Sequence, residues 1–275
     1  SMFNEIYLSL RTAKTEILTV KEKKSSAEIS LLAKQIVNGD TTSGVLSTEE
    51  LLYAASLTPD LKEKEAIYIA ASKKDGSWVA HNNLAAVYLN MAVQNGENMI
   101  KNIQDALTQL DIASAKTDHI EIHANKGTAL MMQASYNESF EALSTAISGA
   151  KGDLKEVLNA AIGSIHIRMG DYKNASASLE AADNSDISNF NRGLAHLLGD
   201  NYIAASREFN KVKTSSSLSA HAAYYNAVTA ARANNVSGLK SNLKAAVSKD
   251  AALKEKALND LEFSSYADAV AESIR

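Results

Sequence analysis

Residues 159–182 read Asn159-Ala160-Ala161-Ile162-Gly163-Ser164-Ile165-His166-Ile167-Arg168-Met169-Gly170-Asp171-Tyr172-Lys173-Asn174-Ala175-Ser176-Ala177-Ser178-Leu179-Glu180-Ala181-Ala182. The pattern is that of two helices joined by a tight turn. Gly163 sits inside the first helix, where it costs about 1 kcal/mol relative to alanine. Such a cost implies a neighbouring helix packed too closely to leave room for a Cβ. Gly170-Asp171-Tyr172 marks the turn, because glycine accepts the left-handed conformation that ends a helix. Ala175, Leu179 and Ala182 then recur at steps of four and three, which places them on one face of the second helix. A small, large, small face is what a close antiparallel helix pair requires.

The same unit recurs along the chain. Its small first-helix residue appears at Ala85, Gly127, Gly163, Gly193 and Ala227, at successive differences of 42, 36, 30 and 34. The polar stretch Val93-Gln94-Asn95-Gly96-Glu97-Asn98 lengthens one turn and accounts for the longest step. Second helices carry Ala106/Leu110/Ala113, Ser139/Leu143/Ala146, Ala175/Leu179/Ala182, Ala205/Phe209/Val212 and Leu239/Leu243/Ala246. Turns read Gln133-Ala134-Ser135-Tyr136, Gly170-Asp171-Tyr172, Gly199-Asp200-Asn201-Tyr202 and Asn234-Asn235-Val236. From about Trp78 to about Lys249 the chain resembles the tetratricopeptide repeat (TPR) family of helix-turn-helix units. That resemblance implies an all-α fold: a right-handed superhelical solenoid of antiparallel helix pairs, here with extra helices at both ends.

Composition agrees with stacked helices. Hydrophobic residues make up 45% of 275 positions but aromatics only 6%, and alanine is abundant. That mix favours close helix packing over a sheet-based core. One proline and 12 glycines leave long stretches free to be helical. The absence of cysteine excludes disulfides, zinc thiolates and cysteine nucleophiles. A net charge of -4 gives no electrostatic reason to expect nucleic acid. No run of 18 apolar residues exists to span a membrane, and no charged-then-apolar secretory start is present. Ser1-Met2 reads as a cloning remnant followed at once by helical sequence, so the chain is expected to be a piece of a longer polypeptide.

In chain order, residues 1–38 are expected to form an N-terminal helical segment. Ile6, Leu10, Ile17, Leu18 and Val20 give one stripe, and Ile29, Leu32, Ile36 and Val37 a second. Between them Lys21 to Ser26 is a solvated face or a bend. Residues 39–46 are a glycine- and threonine-rich loop. Residues 47–77 form a degenerate repeat, opening on a capping box of Ser47 and Glu50 and divided at Thr58-Pro59, with threonine capping and proline in the next helix's first turn. Five TPR-like repeats occupy 78–249. Residues 250–275 supply capping helices, Ala251 to Leu261 and Ser264 to Ile274, the first charged as a wet outer cap should be.

A narrower resemblance lies outside the repeat motif. Leu46-Ser47-Thr48-Glu49-Glu50-Leu51-Leu52-Tyr53-Ala54-Ala55 followed by Leu57-Thr58-Pro59-Asp60 is similar to the opening of the helical-repeat region of OmpA-type envelope proteins of Bacteroidota. So are His81-Asn82-Asn83-Leu84 and the stretches from Leu239-Lys240 through Lys249-Asp250 to Asp260-Leu261-Glu262-Phe263. The resemblance implies a periplasmic or outer-membrane-associated scaffold module; a cytoplasmic scaffold would differ only in address. The chain shows no peptidoglycan-binding domain of its own.

The sequence offers little catalytic chemistry. His119-Ile120-Glu121-Ile122-His123 places two histidines at i and i+4, a spacing able to hold a metal on a helix face. The order lacks the glutamate directly after the first histidine that zinc proteases use, and Asp118-His119 falls where a helix should begin. His81, His123, His166 and His196 occupy family positions held by aromatics and are expected to pack; His221 stands alone. Gly149-Ala150-Lys151-Gly152-Asp153 has neither the spacing nor the ending of a phosphate loop, and no serine lies in a nucleophile elbow. The expectation is a non-enzyme without metal or cofactor.

What remains is a surface. Repeat units curve, and the first helices line the concave side. By register that side carries Asn82, Asn83, Asn125, Thr128, Met132, Arg168, Asn191, Tyr224 and Arg232, groups that suit an extended peptide or a partner's helix. The paired lysines and arginines with which family members grip a terminal carboxylate are mostly asparagine, alanine and apolar here. Val79, Leu89, Ile187, Phe190, Leu197 and Leu198 would make part of the groove apolar, for a protein partner or for a helix returning from residues 3–38. The functional expectation is a protein-interaction scaffold; the alternative is a ligand-binding module taking a peptide or peptidoglycan fragment.

Overall fold

The computed structural model describes residues 23–94 and 96–274. Every regular element among them is a helix. The α-helices are α1 (Ser26–Asn38), α2 (Thr48–Leu57), α3 (Leu61–Asp75), α4 (Trp78–Gln94) and α5 (Met99–Ser114). They continue as α6 (Ile120–Met132), α7 (Tyr136–Gly149), α8 (Gly152–Met169), α9 (Tyr172–Glu180) and α10 (Asp186–Leu198). The last five are α11 (Tyr202–Phe209), α12 (Ser219–Arg232), α13 (Val236–Lys249), α14 (Leu253–Asn259) and α15 (Ala267–Ser273). The apolar stripe from Ile6 to Val20 lies outside the described residues.

Helices pack in adjacent pairs, α2 with α3 through α12 with α13, and each second helix packs on the first helix of the next pair. The chain is therefore an all-α solenoid of the TPR type. The small residues do what their register requires. A Cβ on Gly127 would fall 2.5 Å from Leu143, on Gly163 2.5 Å from Leu179, and on Gly193 2.6 Å from Phe209. In each repeat the large partner lies at the same offset along the chain, and all three are buried. Ala85 and Ala227 fill the same register in α4 and α12 and are sealed from solvent. The turns also match: Ala134, Gly170, Asp200 and Asn234 each adopt left-handed φ, from 55 to 77°.

Several helix ends differ from expectation. The second helices α9 and α11 stop at Glu180 and Phe209, so Ala182 and Val212 lie beyond them. The guanidinium of Arg192 explains the first case: Nε and Nη2 donate to the Leu179 carbonyl at 3.1 and 2.9 Å, and Nη2 to that of Asp183 at 3.0 Å. Carbonyls capped from the side need no further helical turn. At Thr58-Pro59, the cap of α3 is Asp60, which accepts from the Glu63 amide at 2.7 Å. Pro59 thus precedes the cap instead of entering the first turn, and Thr58 hydrogen-bonds Glu63 at 2.6 Å. Ser47 and Glu50 do form a capping box, and Ser25 with Glu28 forms another. Lys24 reaches Glu50 at 3.0 Å, tying the start of α1 to α2, and Ile29 and Ala33 join the core under Leu46, Leu51 and Ile67.

At the other end, residues 261–266 form a 3₁₀ turn, so the last α-helix starts at Ala267 and not near Ser264. Phe263, Val270 and Ile274 close the core over α12 and α13.

Candidate functional site

First helices of successive pairs touch one another directly: α4 with α6, α6 with α8, α8 with α10 and α10 with α12. They therefore line the inside of the stack, and the second helices form its outside. The inner face is held in register by amide bridges. Asn125 Nδ2 donates to Asn82 Oδ1 at 2.9 Å, linking α6 to α4, and Asn191 Nδ2 donates to Ser164 Oγ at 3.1 Å, linking α10 to α8. Asn82 is buried by that role, and Asn83 is half-buried beside it. Thr128 turns its hydroxyl back to the Ala124 carbonyl at 2.9 Å, while Met132 packs on the core beneath α4–α6.

Three of the expected inner-face residues have distinct fates. Arg168 is exposed, and no other described residue pairs with it. Tyr224 is fully buried, its hydroxyl donating to Asp260 Oδ2 at 2.5 Å. Burial pushes its phenol far above the usual range, and the Asp260 carboxylate adds to that. Arg232 is clamped by Glu262, with Nε at 2.9 Å and Nη2 at 2.5 Å. Register alone put Tyr224 and Arg232 on an open groove. The 3₁₀ turn at 261–266 covers both, a closure visible only once the chain end folds back. Of the apolar set, Leu89 and Leu197 belong to the core, Val79, Phe190 and Leu198 are half-buried, and Ile187 is exposed. The described helix α1 packs on α2 and α3, away from the inner face of α4–α12.

The histidines have local partners. His119 has extended backbone and caps α6, so it does not share a helical face with His123; its ring lies 4.6 Å from that of Trp78. His123 Nε2 contacts Asp118, and His81 Nδ1 meets Gln109 Oε1 at 2.7 Å. His166 packs 5.0 Å from Phe140. His221 is exposed. Nδ1 of His166 and Nε2 of His196 are enclosed with no hydrogen-bond partner. Burial pulls the His196 imidazole below its ordinary range, against the opposing pull of Glu208 and Glu180. Among the described residues no cluster of His, Asp and Glu could hold a metal.

A buried ionic centre had no signal in the repeat pattern. Arg192 and Glu208, both almost sealed from solvent, pair at 3.3 Å between α10 and α11. Glu208 also takes Lys211 at 2.7 Å and Arg207 at 3.1 Å. Burial pushes its carboxyl up, but hydrogen bonds from Lys211, Arg207 and Arg192 together pull it below its usual value. Only the position of Arg192, directly before the repeat-register Gly193, could have flagged a long side chain directed into an interface.

No helix among the described residues is long and apolar enough to cross a membrane. No family model matches the chain, and no curated protein matches its sequence. Two solved structures share its architecture. PilF of Pseudomonas aeruginosa superposes with a TM-score of 0.58 at 15% identity, over 89% of this chain and 99% of that one. PilW, described as a widely conserved type IV pilus biogenesis factor, gives 0.52 at 17% identity over the same shares. At such identities the likeness is one of fold.

Proposed function

We propose that this chain is a non-catalytic TPR scaffold that mediates protein–protein interaction as a module of a larger cell-envelope protein, periplasmic or outer-membrane-associated. The observation that carries the proposal is the continuous inner face from α4 to α10, built from first helices in direct contact. It offers amides, Thr128, Met132 and the uncommitted guanidinium of Arg168 over a long surface. A long, shallow, mixed face of this kind reads an extended segment or a helix better than a small molecule. The histidines and buried charges serve as caps, packing groups and internal pairs, which leaves no converging acid, base and nucleophile among the described residues. The envelope address is supported by the OmpA-like stretches at both ends of the array and by the fold shared with a pilus biogenesis factor.

A photo-crosslinking residue placed at Asn83, Met132 or Arg168 in the full-length gene product tests the reading. Discrete protein adducts from the inner face, absent when the crosslinker sits at exposed Glu141 on the outer helix α7, are expected. A melting shift with wall peptides or muropeptides and no protein adduct would replace the scaffold by a ligand-binding module. Fractionation of the full-length product with the cytoplasm would remove the envelope assignment alone.

A further inference from the structure

Between the second helices α11 and α13 runs a cleft of about 470 Å³, on the outside of the stack, whose floor is the C-terminal half of α12. Asn226 lies in that floor, 4% exposed. Its Nδ2 donates to Asn210 Oδ1 at 2.9 Å, while its own carbonyl oxygen has no partner among the described residues and is not sealed off. An oxygen that opens on the cleft is an acceptor which water or a ligand's donor can fill there.

The walls supply the opposite function. Asn210 Oδ1 is taken by Asn226 and Asn235 Oδ1 by the Gly238 amide at 2.9 Å, and the Nδ2 donors of both cleft-lining residues have no partner among the described residues. Asn242 adds a carboxamide without a partner among the described residues, and Ile203 stands at the rim 88% exposed. Free carboxamide acceptors on Asn226 and Asn242, beside free donors on Asn210, Asn235 and Asn242, complement a peptide group, which carries one N–H and one C=O. Arg207 is the single charge in the lining, and its Nε is turned to Glu208.

This chemistry is not a generic product of the repeat. One repeat earlier the equivalent cleft has Tyr172, Ser176 and Asn201 where this one has Tyr202, Ser206 and Asn235. There, however, Lys173 replaces Ile203, and by register Arg192 replaces Asn226 and Glu180 replaces Asn210. Arg192 is consumed by Glu208 and the Leu179 carbonyl.

We propose that the outer cleft at α11–α13 is a second binding site, for an uncharged extended polypeptide segment. A main-chain N–H of that segment pairs with Asn226 Oδ1, carbonyls are taken by the amides of Asn210, Asn235 and Asn242, and an aliphatic side chain rests on Ile203. The site is independent of the inner-face scaffold and stands or falls separately from it.

The test selects random linear peptides, displayed on phage, against the whole chain. Each selected peptide is then titrated against the chain and its Ile203→Glu and Asn242→Asp variants, both changed at the cleft edge. Uncharged peptides are expected, losing about tenfold or more in affinity with either variant while the melting temperature holds. The side-chain amide resonances of Asn210 and Asn226 should move on binding. Failure to select any peptide, or equal binding by both variants, overturns the proposal. So does movement of those resonances with an N-acetylglucosamine tetramer but not with peptide, which would make the cleft a glycan site.

Discussion

At Gly163 a single hydrogen atom decides whether two helices can meet. Alanine would gain about 1 kcal/mol of helix propensity but would place a Cβ 2.5 Å from Leu179 Cγ, and overpacking of a tight core costs about 1–3 kcal/mol. Gly163→Ala is therefore expected to lower stability by up to roughly 2 kcal/mol in urea unfolding. Leu179→Ala alone should cost about 2–5 kcal/mol, and the double variant less than the sum, since each change relieves the other. Additive losses would show that the contact is not what holds this position to glycine. His196 gives a second residue-scale outcome. Its folded pKa lies below the ordinary 6.5 because burial disfavours the charged ring. Below pH 6.5 the unfolded chain then binds more protons than the folded one, so stability falls as pH drops toward the folded pKa and is full above 6.5. The urea midpoint should decline between pH 7.5 and 5.5, and His196→Gln should flatten that slope relative to the parent.

Among elements, α9, α10 and α11 are coupled by the Arg192 centre, not by hydrophobic contact alone. Arg192→Met would leave Glu208 buried against fewer cations and the end of α9 without its donor. A loss of about 3–5 kcal/mol is expected, as for other buried pairs broken from one side. Arg192→Met with Glu208→Gln should lose distinctly less than Arg192→Met alone, because the buried carboxylate then held by Lys211 and Arg207 only is gone. Equal losses would assign the whole effect to capping. The shortened α9 and α11 belong to this level too. The four-then-three spacing correctly identified the packing face of both helices, but spacing does not say where a helix stops. A cation from the next helix ended α9, and no local residue announces that.

Over the whole molecule, stability in a linear stack is a sum of repeat terms and neighbour interfaces. Phe263, buried over α12 and α13 with Tyr224 5.7 Å away, seals one end. Phe263→Ala is expected to cost about 3–5 kcal/mol, and hydrogen exchange should report where. Amides of α12 and α13 should lose protection most, those of α2 and α3 least. A uniform loss would mean one cooperative body in place of a chain of neighbours. The inner face obeys the same logic. Its middle was legible from register, since Asn125 and Asn191 do bridge adjacent first helices, whereas its C-terminal end was not, because Asp260 and Glu262 come from beyond the last repeat.

By itself the sequence determined the helix pairs, their order and the close contacts at Gly127, Gly163 and Gly193. Those depend on side-chain size at short, regular spacings, and spacing along one chain is what a sequence records. Only the tertiary structure decided that Tyr224 is covered, that Arg232 is spent on Glu262, that Arg192 ends α9, and that Asn226 meets Asn210 across an outer cleft. Each of these joins groups from different helices or repeats, and which distant groups meet depends on how the stack closes upon itself.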